Sequence, residues 1–141
     1  MNQNIVILCD FDGTIVEKDV AEFIIEEFSN EEWKKYDKMF EKGEITLAKC
    51  MEEQYSKIKA TKEEILEKIS GVFRIRPHFD DLLDYTREEN ISFIIVSAGI
   101  DFTIRKILSD GGHQDLEVAA AKAKPNLGGR KLEFPPIENS V

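Results

Sequence analysis

The run Ile5-Val6-Ile7-Leu8-Cys9 breaks directly into Asp10-Phe11-Asp12-Gly13-Thr14, and no other stretch limits the fold as tightly. The apolar run is too short to span a membrane and does not alternate. It predicts a strand buried on both faces, of the parallel kind that helices cover. Such strands deliver chemistry at their C-terminal ends. Here that end carries two carboxylates, a glycine that lets the backbone bend, and a hydroxyl that can donate a hydrogen bond. Two carboxylates so close repel unless a cation lies between them, which points to a hard, oxygen-seeking ion such as Mg2+. Asp10 and Asp12 are the candidate metal ligands, and a bound cation would let a phosphate dianion approach. Asp and Gly are also ordinary turn formers, so a strand ending in an Asx turn accounts for the same local pattern.

A chain of 141 residues is one ordinary domain, or a small core with an inserted subdomain. Its 28 acidic and 19 basic residues leave a net charge of -9, which repels nucleic acid and anionic membrane surfaces at long range. Neither is expected as a partner, and an anionic substrate needs local cations. Cys9 and Cys50 lack metal-ligand or redox spacing, and no signal sequence or spanning apolar stretch is present, so the chain reads as cytoplasmic with reduced thiols. His78 and His113 have no partner motif and read as surface or capping residues.

After Thr14 the pattern is helical for about sixty residues. Asp19 with Glu22 has capping-box spacing ahead of Val20, Phe23, Ile24 and Phe28. Ser29 with Glu32 repeats the signal before Trp33, Tyr36 and Phe40. Gly43 then separates a helix whose Leu47, Met51, Gln54 and Ile58 share a face, and Thr61 with Glu64 opens a fourth carrying Ile65, Leu66 and Ile69. The large apolar side chains of this region read as the core of a helical bundle. Arg74-Ile75-Arg76-Pro77 returns the chain to the sheet, and Phe79, Leu82, Leu83 and Thr86 form a helix face against it. Asn90 is a left-handed stop. Ile91 to Val96 is the second buried strand, and the strand-helix-strand order predicts a doubly wound parallel sheet.

That strand ends in Ser97-Ala98-Gly99, followed by a helix marked by Asp101, Phe102, Ile104, Ile107 and Leu108. A hydroxyl and bare amides at a helix start form an anion site, although Ser-Ala-Gly after a strand also reads simply as a helix cap. Leu116 to Ala123 and Arg130 to Phe134 pair as a hairpin through Gly128-Gly129.

Four hydrophobics followed by D-F-D-G-T resemble motif I of the haloacid dehalogenase (HAD) superfamily. The resemblance implies that Asp10 is a nucleophile that becomes an aspartyl phosphate and that Asp12 is a general acid and base, a pairing suited to phosphoryl transfer with Mg2+. Ser97, Ala98 and Gly99 resemble motif II, which together with Gly13 and Thr14 would bind the phosphoryl group. The helical insertion resembles the type 1 cap, so residues 1–16 and 74–141 are expected to form a Rossmann-like α/β core and 17–73 the cap. Asp19, nine residues after Asp10, matches a carboxylate that contacts substrate in the phosphoserine phosphatase-like branch. The wording is closest to the methionine-salvage ketone-phosphate phosphatases, in Asp19, Glu32-Trp33 and the Ser97 to Phe102 pattern, with Ala98 where those carry Gly.

The implied function is Mg2+-dependent hydrolysis of a small phosphomonoester. Motif III, a lysine, and motif IV, an acidic pair after a further strand, are not found. Lys122, Lys124 and Lys131 fall in or beside the predicted hairpin and none is taken as catalytic. The chain therefore reads as C-terminally truncated or naturally short, with impaired activity and an exposed first-strand edge that invites self-association. Competing readings are a catalytically inert phosphate-binding or regulatory relative, and a receiver-like phospho-accepting domain. Receivers, however, place the accepting aspartate on a middle strand and lack a long helical insertion. Arg74, Arg76, Lys49 and Arg105 are candidates for steering an anion.

Overall fold

The computed structural model describes residues 4–126 and 129–133. Four strands form one sheet in the order β1 (Val6–Cys9), β2 (Ser92–Ile100), β3 (Glu117–Asn126) and β4 (Gly129–Glu133). β1, β2 and β3 run parallel and β4 returns antiparallel, with Lys122 opposite Glu133 and Asn126 opposite Gly129. This is the α/β parallel-sheet core with a terminal hairpin that the sequence predicts. The hairpin's outer strand is seen to Glu133, since Gly128 and Phe134 lie outside the described residues.

Between β1 and β2 run α1 (Val20–Phe28), α2 (Trp33–Glu41), α3 (Leu47–Ser56), α4 (Lys62–Ile69) and α5 (Phe79–Glu88), and α6 (Asp101–Asp110) follows β2. Their ends show why they form. The Asp19 carboxylate accepts from the Glu22 amide at 2.8 Å, capping α1. Thr61 and Glu64 make a reciprocal capping box on α4, and Thr46 accepts from the Lys49 amide to open α3. Asn90 ends α5 at φ 56°, the left-handed stop expected of it. α3 packs against β4 and α4 against α6, so the helices share one core with the sheet, in which Phe11, Tyr55, Ile65, Ile95 and Ile104 are buried.

Five expectations need correction. β1 is not buried on both faces: Val6 at 50% and Leu8 at 68% are exposed and alternate with the less exposed Ile7 and Cys9, and Val96 on the interior strand β2 is 45% exposed, so one face of the sheet is left uncovered here; β1 also stands at the sheet edge. Ser29 does not cap α2. Its hydroxyl donates back to the Ile25 carbonyl at the end of α1, and Asn30 accepts from the Glu32 amide instead. α2 has no fully buried residue, and Phe40 lies exposed on it, so this helix covers the bundle rather than filling it. Leu82 is also exposed, leaving Phe79, Leu83 and Thr86 as the buried face of α5. Finally, His113 is largely enclosed. It lies 2.6 Å from Asp80 and edge-on to Phe79, which ties the turn after α6 to the start of α5.

Candidate active site

β1 and β2 pair in parallel with Cys9 opposite Ile95, so the turn after Cys9 lies beside the last residues of β2, which runs on to Ile100. Asp10 follows β1 directly, and the Thr14 hydroxyl donates to its Oδ2 at 3.2 Å across the turn. That turn requires Gly13, whose φ is +71°. It is held from outside by Arg76, whose Nε and Nη2 donate to the carbonyls of Thr14 and Gly13 at 2.9 and 3.2 Å. Arg76, read from the sequence as a candidate for steering an anion, thus serves the backbone. Lys49 and Arg105 are likewise engaged, with Glu53 and Asp101.

Asp12 turns the other way, toward the helices. Its Oδ1 accepts from the Val20 amide at 2.9 Å, so the first turn of α1 sits on this carboxylate as well as on Asp19. Burial raises the Asp12 pKa to about 6. The Val20 hydrogen bond opposes that rise, and the charges of Asp19 and Asp10 add to it.

Gly99 shows how tightly the two strand ends meet. A methyl group on it would lie 3.0 Å from Asp12 Oδ2 and 3.2 Å from Ser97 Oγ. No larger residue fits there without displacing one of them. The structure therefore brings Asp12, Ser97 and Gly99 together, with Asp10, Gly13 and Thr14 on the adjoining turn. Ser97 is not a helix cap. β2 continues to Ile100, where its pairing with β3 shifts register, and the Ser97 hydroxyl accepts from the Gly99 amide at 3.0 Å. The amides expected to be bare thus include one already engaged.

A cavity of about 270 Å3 opens from this point between α1, α2 and α3. Asp12, Asp19, Ala98 and Gly99 line it together with Trp33, Asp37, Met51 and Tyr55. Glu22, also on the wall, has its pKa raised, first by burial and then by Asp19, Glu26 and Asp37. The hydroxyl of Tyr55 is buried without a hydrogen-bond partner. Sequence reasoning missed Tyr55, Asp37 and the chamber they share. Tyr55 is adjacent to Gln54 on a helix face read as core, and nothing local separates a core tyrosine from a lining one.

Among the described residues no three His, Cys, Asp or Glu side chains converge as a metal-ligand group. Mg2+ commonly takes one or two carboxylates and keeps several waters, and the oxygen donors that Asp10 and Asp12 carry are of that chemistry.

A parallel sheet that ends its first strand in paired aspartates, beside a serine and glycine turn from the second, defines an α/β core of Rossmann-like form. Two phosphoserine phosphatase structures, one with a phospho-aspartyl intermediate analogue and one with bound substrate, superpose with TM-scores of 0.70 and 0.71 at 22% identity. They cover 94% and 95% of this chain, which spans 64% of each. A HAD family hydrolase from Salmonella enterica serovar Typhi superposes at 0.73 with 14% identity, over 92% of this chain and 45% of its own. These likenesses concern the fold. Residues 7–136 match the haloacid dehalogenase-like hydrolase family, and the chain belongs to it. Among curated relatives, the 2-hydroxy-3-keto-5-methylthiopentenyl-1-phosphate phosphatases of Brevibacillus brevis and Geobacillus thermodenitrificans are 33% and 31% identical to it over 110 and 109 residues. Each alignment takes in 77% of this chain and 50% of the relative, so the chain spans about half the length of these proteins.

Proposed function

We propose that this chain carries the nucleophile half of a phosphomonoester hydrolase acting on a small phosphorylated metabolite. The carrying observation is the juxtaposition at Gly99, where the half-buried Asp12 carboxylate, its pKa raised to about 6, meets the Ser97 turn. A carboxyl group titrating near neutrality is suited to giving and taking a proton.

Asp10, steadied by Thr14, attacks phosphorus. The ester P–O bond breaks, and Asp12 gives its proton to the departing alkoxide. Asp12 then takes a proton from water, which attacks the phosphorus and frees Asp10 as inorganic phosphate leaves. Ser97 and the Gly13 to Thr14 turn hold the phosphoryl oxygens. Asp10 would hold Mg2+, which when bound neutralises charge on the transferring group and leaves the Asp12 carboxyl free to carry the proton. Residues 17–73 serve as a cap that excludes water, with Asp19 touching the leaving group, over a core of residues 1–16 and 74–141. Release of phosphate from a panel of small phosphomonoesters, dependent on Mg2+ and lost in Asp10→Asn, tests the reading. Turnover that survives Asp10→Asn overturns it.

One observation favours a second reading, phosphate binding with little turnover: among the described residues lining the cavity there is no lysine or arginine. Protection by beryllium fluoride without phosphate release distinguishes it.

A further inference from the structure

Three successive carbonyls of the turn after β1 are received by one residue. Arg76 Nη2 and Nε donate to the carbonyls of Gly13 and Thr14 at 3.2 and 2.9 Å, and the Arg76 amide donates to that of Ile15 at 2.8 Å. On the inner side the amides of Thr14, Ile15 and Val16 all donate to the Phe11 carbonyl, at 3.1, 2.9 and 3.3 Å. The turn is thus closed inward on Phe11 and outward on Arg76. Its glycine, Gly13 at φ +71°, has no side-chain neighbour to restrain it, so the peptide between residues 13 and 14 can flip at little steric cost. The guanidinium selects the one setting in which the Thr14 hydroxyl donates to Asp10 Oδ2.

The second observation is where Arg76 comes from. It lies 62 and 63 residues beyond Thr14 and Gly13, on the segment by which the chain returns from the inserted helices, and the neighbouring Ile75 bridges to Val16. Its charge has little other use nearby. Nη1 stands 3.8 Å from the exposed Glu17 carboxylate, and a surface pair of that kind contributes little. What the turn uses is the shape of the side chain, a rigid planar fork that reaches two carbonyls at once.

We infer that Arg76 is a positioning residue for the nucleophile: it fixes the Gly13 to Thr14 turn, orients Asp10 through Thr14, and makes that orientation depend on the returning segment being seated against the turn. This rests on the phosphatase reading above and adds to it the residue through which the inserted helices act on Asp10. The dependence is reciprocal, so a ligand that locks Asp10 also seats the segment.

The test uses the full chain with Mg2+ and beryllium fluoride, whose adduct on a carboxylate is followed by its fluorine resonance. Wild type is expected to form the adduct and Asp10→Asn is not. Arg76→Met should weaken it about tenfold or more, because a small misplacement of a reacting group is costly. Arg76→Lys, which keeps the charge but reaches one carbonyl at a time, should fall between the two and carries the test if the methionine variant does not fold. Two further variants separate positioning from stability. Thr61→Ala removes the capping box of α4, should lower the thermal midpoint by a comparable amount, and should leave the adduct unchanged. Glu17→Gln removes the ion pair and should leave it unchanged as well. In wild type, adduct formation should slow hydrogen exchange at the Arg76 amide. An Arg76→Lys or Arg76→Met protein that matches wild type, an equal loss in Thr61→Ala or Glu17→Gln, or exchange at Arg76 indifferent to the adduct overturns the positioning role alone. A wild type that forms no adduct, or an adduct that survives Asp10→Asn, overturns the phosphatase reading and this inference together.

Discussion

Replacing Asp12 by asparagine should make the protein more stable at neutral pH, and the gain can be worked from the site. The carboxyl group titrates near 3.8 when free and at about 6 in the fold, chiefly because it is buried. A pKa raised by folding means that ionised Asp12 opposes the folded state. The stability it contributes is complete below about pH 4 and is lost as pH rises through 6. That difference corresponds to about 3 kcal/mol. Asparagine keeps an oxygen for the Val20 amide, which donates at 2.9 Å, but sets an NH2 group near Gly99 that must find a partner. Allowing about 1 kcal/mol for that group leaves a net gain of about 2 kcal/mol, or roughly 6 °C in midpoint for a chain of this size. Urea and thermal denaturation of wild type and Asp12→Asn, in EDTA across pH 4 to 7.5, give the difference curve directly. It should be near zero or slightly negative at pH 4 and climb to its full value by pH 7. A variant that is less stable at pH 7, or a difference that does not change with pH, would refute the account of burial given for this carboxylate.

Other expectations follow from single contacts. Arg76→Met removes two hydrogen bonds to the carbonyls of Gly13 and Thr14 and should cost about 1–3 kcal/mol by urea denaturation; Arg76→Lys, lacking the planar fork, should recover only part of it. Gly99→Ala inserts a methyl 3.0 Å from Asp12 Oδ2, so phosphate binding by calorimetry should weaken about tenfold or more while the far-ultraviolet circular dichroism is kept. The edge strand β1, with Leu8 68% exposed, should drive concentration-dependent association in light scattering, and Leu8→Lys should reduce it; a strictly monomeric wild type would count against an open edge.

Much of this architecture was legible where local chemistry decides it. Asp19, Thr61 with Glu64, and Asn90 end or begin helices through bonds to their own backbone neighbourhood, which spacing alone reveals. The meeting of the two strand ends was legible because parallel pairing sets their register. Part of what escaped depends on contacts far apart in the chain, and part on which of two neighbouring groups takes a local bond. The hydrophobicity of Ile5 to Leu8 announces a strand but not what covers it, and the exposure of Val6, Leu8 and Val96 reflects a sheet face with no layer over it among the described residues. Ser29 has the right spacing to open α2, yet Asn30 stands one residue closer and takes the bond. Ser97 reads as a helix cap only if the strand stops at Val96; the strand runs on, and the hydroxyl turns to Gly99. The chamber needs α1, α2 and α3 to converge, which no periodicity encodes.

Asp12 has two obligations, and they are coupled. If it carries the proton as proposed, its charge changes twice in every turnover, while its Oδ1 remains the acceptor for the leading amide of α1. An ionised acceptor grips a helix N-terminus more firmly than a neutral one. The roof above the reacting phosphorus would thus tighten as the alkoxide departs and slacken when the acid is restored, so the proton ledger of the reaction doubles as its latch.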